Sequence, residues 1–154
     1  MRIVSLGVTT ALLGLAAPLW GQGTTSPAAA GPVGTIVVAH GAGPDWNAQV
    51  KEVVRLTRTG GPVEVSFLMG PEASTHRFQD VARRLVDAGV REIVVVPLLV
   101  SSHSGHYEQI RYLVGETDTL DEVMMHHLHM AGIERAKVPV PVRLARAIDD
   151  SPEV

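Results

Sequence analysis

Three histidines lie where a parallel sheet would bring them together. His40 follows the apolar run Thr35-Ile-Val-Val-Ala and is flanked by Gly41 and Gly43. His103 and His106 follow a second run, Glu92-Ile-Val-Val-Val-Pro-Leu-Leu-Val, after the small polar residues Ser101 and Ser102. Neutral imidazole can hold a metal ion and can also accept a proton near neutral pH. A continuous β-branched run reads as a strand buried on both faces near the centre of a parallel sheet. Ligands of open α/β sheets bind beyond the carboxyl ends of such strands. If the two strands are neighbours, His40 meets His103 or His106 in one crevice. Those two are three residues apart and can share a helical face, so spacing leaves the choice between them open. Gly41 and Gly43 would let a ligand approach the backbone on one side, with Ser101 and Ser102 lining the other.

A second cluster lies at His126, His127 and His129, set among Met124, Met125 and Met130. Helical spacing pairs His126 with His129 and places Glu122 one turn earlier. Imidazole and thioether together suit copper or another late transition metal. The same pattern also fits an amphipathic helix with methionine in its core and histidine at its edge. The sequence favours that structural reading.

The elements that must position these groups alternate strand and helix. A strand over 35–39 precedes a helix capped by Asp45, with Trp46, Val50, Val53, Val54 and Thr57 as its apolar stripe, ended by Gly60-Gly61. A strand over 63–69 closes at Gly70-Pro71. Ser74 or Thr75 caps a second helix whose buried stripe is Phe78, Val81, Ala82 and Leu85, with Gly89 as the left-handed residue after it. The strand over 92–100 follows, then a helix starting near Ser104 with Ile110, Leu113 and Val114 on one face. A further helix covers about 120–131, and a strand broken by Pro139 and Pro141 lies within 137–144. Parallel strands need crossover connections. The fold class is therefore α/β: a three-layer α/β/α sandwich on a mostly parallel sheet. Ser151-Pro152-Glu153 reads as a helix start, so the helix that should cover the last strand is expected to be missing from a chain that stops at Val154.

Composition narrows the function. The chain has 154 residues, enough for one domain, and a formal net charge of −3, which argues against a nucleic-acid partner. It has no cysteine, so disulfides, thiolate ligands and a cysteine nucleophile are excluded. Residues 1–22 read as a signal peptide, with Arg2 before an apolar stretch that Thr9, Thr10 and Pro18 interrupt; no stable membrane span is expected once it is removed. Residues 23–33 read as a flexible linker and 34–154 as a single domain, exported to the periplasm or secreted.

Thr35-Ile-Val-Val-Ala-His-Gly-Ala-Gly, Val63-Glu-Val-Ser-Phe-Leu-Met with Pro71, and Asp87-Ala-Gly-Val-Arg-Glu-Ile-Val-Val-Val-Pro-Leu-Leu-Val-Ser-Ser-His resemble the CbiX/SirB sirohydrochlorin chelatases. The resemblance covers about residues 34–115 and, more loosely, the rest. It implies insertion of Co²⁺, Fe²⁺ or Ni²⁺, as substrate, into a tetrapyrrole, with no organic cofactor. It also implies that His40 is the first metal-handling histidine and His103 or His106 the second. In the family the site lies between two such halves, so a second copy or a second half is expected. Many members carry an acid after the second strand. Here Met69 stands there, and Glu72 would replace it only if its loop bends back.

Two functions compete: a chelatase, and an exported metal- or tetrapyrrole-binding protein without turnover. A third reading, an α/β-hydrolase fragment with Val-Ala-His-Gly-Ala-Gly as an oxyanion loop, ranks last, because the sequence contains no Gly-X-Ser-X-Gly.

Overall fold

A computed structural model describes residues 31–150. The proposed signal peptide, most of the linker and the helix start at Ser151 lie outside the described residues.

Four strands, β1 (Val33–Ala39), β2 (Val63–Phe67), β3 (Glu92–Leu98) and β4 (Val142–Leu144), form one parallel sheet in the order β2-β1-β3-β4. The connections are helices: α1 (Pro44–Leu56), α2 (Phe78–Asp87), then α3 (Gly105–Val114) and α4 (Glu122–Ala131) between β3 and β4. The alternating α/β architecture is as the sequence implies. β1 and β3 are neighbours, and their registered ends, Ala39 and Leu98, are level.

Side chains alternate across a strand, and registered pairs of a parallel sheet share a face. One face therefore carries Gly34, Ile36 and Val38 with Ile93 and Val95. Gly34 lies against Leu85 and Val90 of the α2 region, so this is the face that α2 covers. Its apolar residues are fully buried, as are Phe78, Val81, Ala82 and Leu85, the four residues of the expected α2 stripe.

The opposite face carries Phe67, which contacts Trp46 of α1 at 6.5 Å between ring centroids. Here α1 covers β2 and β1 but leaves β3 half-open. Val94 and Val96 are only partly buried and Leu98 is exposed, so the expectation that β3 is buried on both faces is corrected. A groove of about 380 Å³ remains beside α1, lined by Trp46, Val53, Leu98, Val100 and Ile148. Val53 is 60% exposed and Val100 77%.

The same half-cover explains a second correction. The buried residues of α1 are Asn47, Val50 and Val54, in place of the expected Trp46 and Val53. The cap is Gly43, with Pro44 at the first helical position, where its missing N–H costs nothing, and Asp45 lies in the first turn. α2 also starts later than expected. Glu72, Ala73 and Thr75 instead form a turn, and Arg77 is the residue before the helix.

Candidate metal-handling site at the ends of β1 and β3

β1 ends at Ala39, so His40 leaves the sheet at its carboxyl edge, and the loop behind it is held tightly. Gly41 has φ +85°, in the left-handed region, and a Cβ there would lie 2.1 Å from the carbonyl oxygen of Met69. Only glycine fits so close an approach. The Met69 amide in turn donates to the His40 carbonyl at 2.8 Å. Asn47, fully buried in the first turn of α1, clamps the loop from the other side. Its Oδ1 accepts from the Ala42 amide at 2.9 Å and its Nδ2 donates to the Ala42 carbonyl at 3.2 Å.

Beyond β3 the chain makes a turn at Ser101–Ser104 before α3 begins. Ser104 is the N-cap, with its Oγ accepting from the Tyr107 amide at 3.2 Å and donating to the Ser101 carbonyl at 3.1 Å. That start places His106 in the first turn of α3, directed back towards β1. The rings of His40 and His106 pack edge to face, with centroids 4.5 Å apart and planes at 81°. The structure thus brings His40 and His106 together.

Their hydrogen bonds define which nitrogen is available. His40 Nδ1 lies 2.7 Å from the Gly41 carbonyl, which can only accept, so Nδ1 carries the proton. His106 Nδ1 lies 2.9 Å from Gln109 Oε1. The Gln109 amide is oriented by its Nε2–H, which donates to the Met124 carbonyl at 2.7 Å, so Oε1 must accept from His106. In neutral imidazole one nitrogen donates and the other accepts. Both rings therefore keep the Nε2 lone pair for a ligand, and each Nδ1–H is fixed by a supporting carbonyl, as in most metal-binding histidines.

His103 stands apart from this pair. It is exposed in the turn, its amide donates to Ser101 Oγ at 3.1 Å, and the acid that interacts with it is Asp149. Asp149 accepts the Ser102 amide on both carboxylate oxygens at 2.9 Å. That backbone bond, followed by lesser contributions from Ser102, Ser101 and His103, holds its carboxyl below the usual range. Gly43 is the α1 cap, and Ser101 and Ser102 are engaged within the turn and with Asp149.

Glu72 bends towards α1. It meets Lys51 Nζ at 2.7 Å and Asn47 Nδ2 at 3.3 Å, and the lysine above all holds its carboxyl below the usual range. The arginines nearest the strand-end loops are engaged too: Arg77 with Asp80 at 2.6 Å, and Arg111 with Glu108 and Glu116. On α4, His126, His129 and Glu122 are exposed, and among the described residues no three His, Asp or Glu side chains group closely enough to hold a metal ion. Two residues of the site were not singled out in the sequence, Asn47 and Gln109. The available signals were an amide in the first turn of α1 and an amide one helical turn after His106.

The parallel sheet and its connections define a chelatase-like α/β domain. The chain belongs to the CbiX family, whose model matches residues 34–154. A chelatase-like role in tetrapyrrole biosynthesis goes with that membership. Among solved structures, the chain is similar to a cobalamin (vitamin B12) biosynthesis CbiX protein from Marinobacter aquaeolei VT8. The identity is 17%, the TM-score 0.50, and the match covers 79% of this chain and 87% of that one. That likeness is one of fold. No protein of curated function matches.

Proposed function

We propose that this protein inserts a divalent metal, Co²⁺, Fe²⁺ or Ni²⁺, into sirohydrochlorin or a close tetrapyrrole relative, using His40 and His106. The observation that carries the reading is the His40–His106 pair with both Nδ1–H groups already engaged. Two Nε2 lone pairs give a borderline nitrogen ligand set suited to these ions. Two ligands leave most of a metal's coordination positions free for pyrrole nitrogens. Insertion releases two pyrrole protons for each metal ion bound, and each imidazole can take one as it lets the metal go.

A non-catalytic binding protein is the second reading, and one observation favours it. Glu72, which would replace the acid many relatives carry, is tied to Lys51 and Asn47. One assay separates the two readings. With Co²⁺ and sirohydrochlorin, the absorption change of the tetrapyrrole should run faster than the spontaneous reaction and return to the spontaneous rate in His40→Ala. Stoichiometric metal binding without faster insertion would leave the second reading standing. Export of the mature chain and completion of the crevice by a second copy belong to the same proposal, and sedimentation with tetrapyrrole present tests the latter.

A further inference from the structure

Asn47 lies on the face of α1 that otherwise packs valine, Val50 and Val54, against the sheet. A buried amide without partners is costly, and Asn47 has both ends bonded. The Ala42 amide can only donate, so Asn47 Oδ1 faces it at 2.9 Å and the orientation of the side chain is fixed. Asn47 Nδ2 then donates to the Ala42 carbonyl at 3.2 Å and to Glu72 Oε1 at 3.3 Å. The Ala42 amide belongs to the same peptide group as the Gly41 carbonyl, which accepts from His40 Nδ1 at 2.7 Å. That peptide is trans, so its N–H and C=O point in opposite directions, one to Asn47 and the other to His40. The Glu72 carboxylate, the Asn47 amide, the Gly41–Ala42 peptide and the His40 ring therefore stand in one hydrogen-bonded line. Lys51 Nζ meets the other carboxylate oxygen of Glu72 at 2.7 Å, which above all holds the carboxyl below the usual range and so ionised near neutral pH. His76 Nδ1 stands 3.9 Å from that same oxygen, beyond hydrogen-bond reach.

We infer that Glu72 is a positioning residue for His40: its charge, passed through the Asn47 amide and the Gly41–Ala42 peptide, fixes the His40 Nδ1 proton and strengthens Nε2 as a metal donor. The inference rests on the proposed metal-handling role of His40, and it holds whether or not the tetrapyrrole is turned over. Hydrogen bonds in a line polarise one another, so an ionised acceptor at one end strengthens each bond up to the far one. A carboxylate bonded to the back of a metal-binding histidine raises the basicity of that ligand. Here two amide groups stand between the carboxylate and the ring, and Glu72 acts through the loop instead of on the metal itself. Lys51 opposes the effect, because its charge partly neutralises the carboxylate that drives it.

The test uses two variants of the full chain. Glu72→Gln keeps an acceptor for Asn47 and removes the charge, whereas Lys51→Met removes the opposing charge. The readouts are the ring ¹⁵N shifts of His40 without metal, and the Co²⁺ affinity. Both are taken in about 1 M salt, where the Debye length is about 3 Å and direct fields from exposed charges are screened. Glu72→Gln should move the His40 shifts towards a tautomer mixture and weaken Co²⁺ binding by about tenfold, the lower end of what losing a directly bonded partner costs. Lys51→Met should move both readouts in the opposite direction. Unmoved His40 shifts in Glu72→Gln would overturn the inference. So would a change of the same sign in both variants, which marks a loop that is merely loosened. A chain that shows opposite shifts but binds no Co²⁺ would overturn the proposed function and keep the positioning role of Glu72.

Discussion

At the scale of single residues, the site depends on two imidazoles whose unused nitrogens are fixed by neighbours. Gln109 is the clearest case, because it donates to the Met124 carbonyl with one end and accepts from His106 with the other. Gln109→Leu keeps the side-chain volume and removes the acceptor that fixes the His106 tautomer. Loss of such a supporting bond typically costs about 10–100-fold in metal affinity. We expect Co²⁺ binding to weaken within that range, with the ¹⁵N shifts of His106 moving towards a tautomer mixture and those of His40 unchanged. The position of His40 was legible in the sequence, because the apolar strand ends directly before it. The choice between His103 and His106 was not. It depends on where α3 starts, and hence on Ser104 taking the cap and leaving His103 in the turn.

At the scale of elements, two loops hold the histidines in different ways. The first is rigid by close contact. Gly41→Ala would force a left-handed φ on a residue with a Cβ and drive that Cβ into the Met69 carbonyl. Strain at such a position costs about 1–3 kcal/mol before the clash is counted. A marked fall in the midpoint of urea unfolding is expected, with loss of metal binding at His40. The second loop is held by charge. The Asp149 carboxyl titrates below its ordinary range because the ionised form accepts the Ser102 amide. A depressed folded-state value means the tether is fully present above the ordinary carboxylate range of about 4 and is lost as pH falls through the lower, folded value. The Ser102 amide resonance should follow that titration and become insensitive to pH over the same window in Asp149→Asn. The sequence showed the β3-to-α3 loop as polar and small. The acid that ties it comes 47 residues later, and nothing local announces such a contact.

For the whole molecule, the two faces of the sheet are unequal. The α2 face is closed, and the α1 face is open beyond β1. Leu85→Ala, at a fully buried position, should cost about 2–5 kcal/mol. Val53→Ser, on the open face at 60% exposure, should change stability by no more than about 0.5 kcal/mol. Chemical denaturation of the two variants measures the asymmetry directly. The alternation of strand and helix made the architecture readable from the sequence, and the α2 stripe was right residue for residue. The α1 stripe was right at Val50 and Val54 and wrong at Trp46 and Val53, because a stripe read by periodicity assumes a sheet face fully covered. Here Asn47 is buried for its hydrogen bonds to Ala42, while Trp46 and Val53 border an open groove.

In the proposed reaction the working pair is His40 with His106. Its most direct test is the initial rate of Co²⁺ insertion into sirohydrochlorin by His106→Ala and His103→Ala, measured side by side with the unaltered chain. His106→Ala should fall to the spontaneous rate, and His103→Ala should stay within about threefold of the unaltered chain, a difference of about 0.7 kcal/mol in barrier. The reverse pattern, with His103→Ala inactive and His106→Ala active, would contradict that pairing.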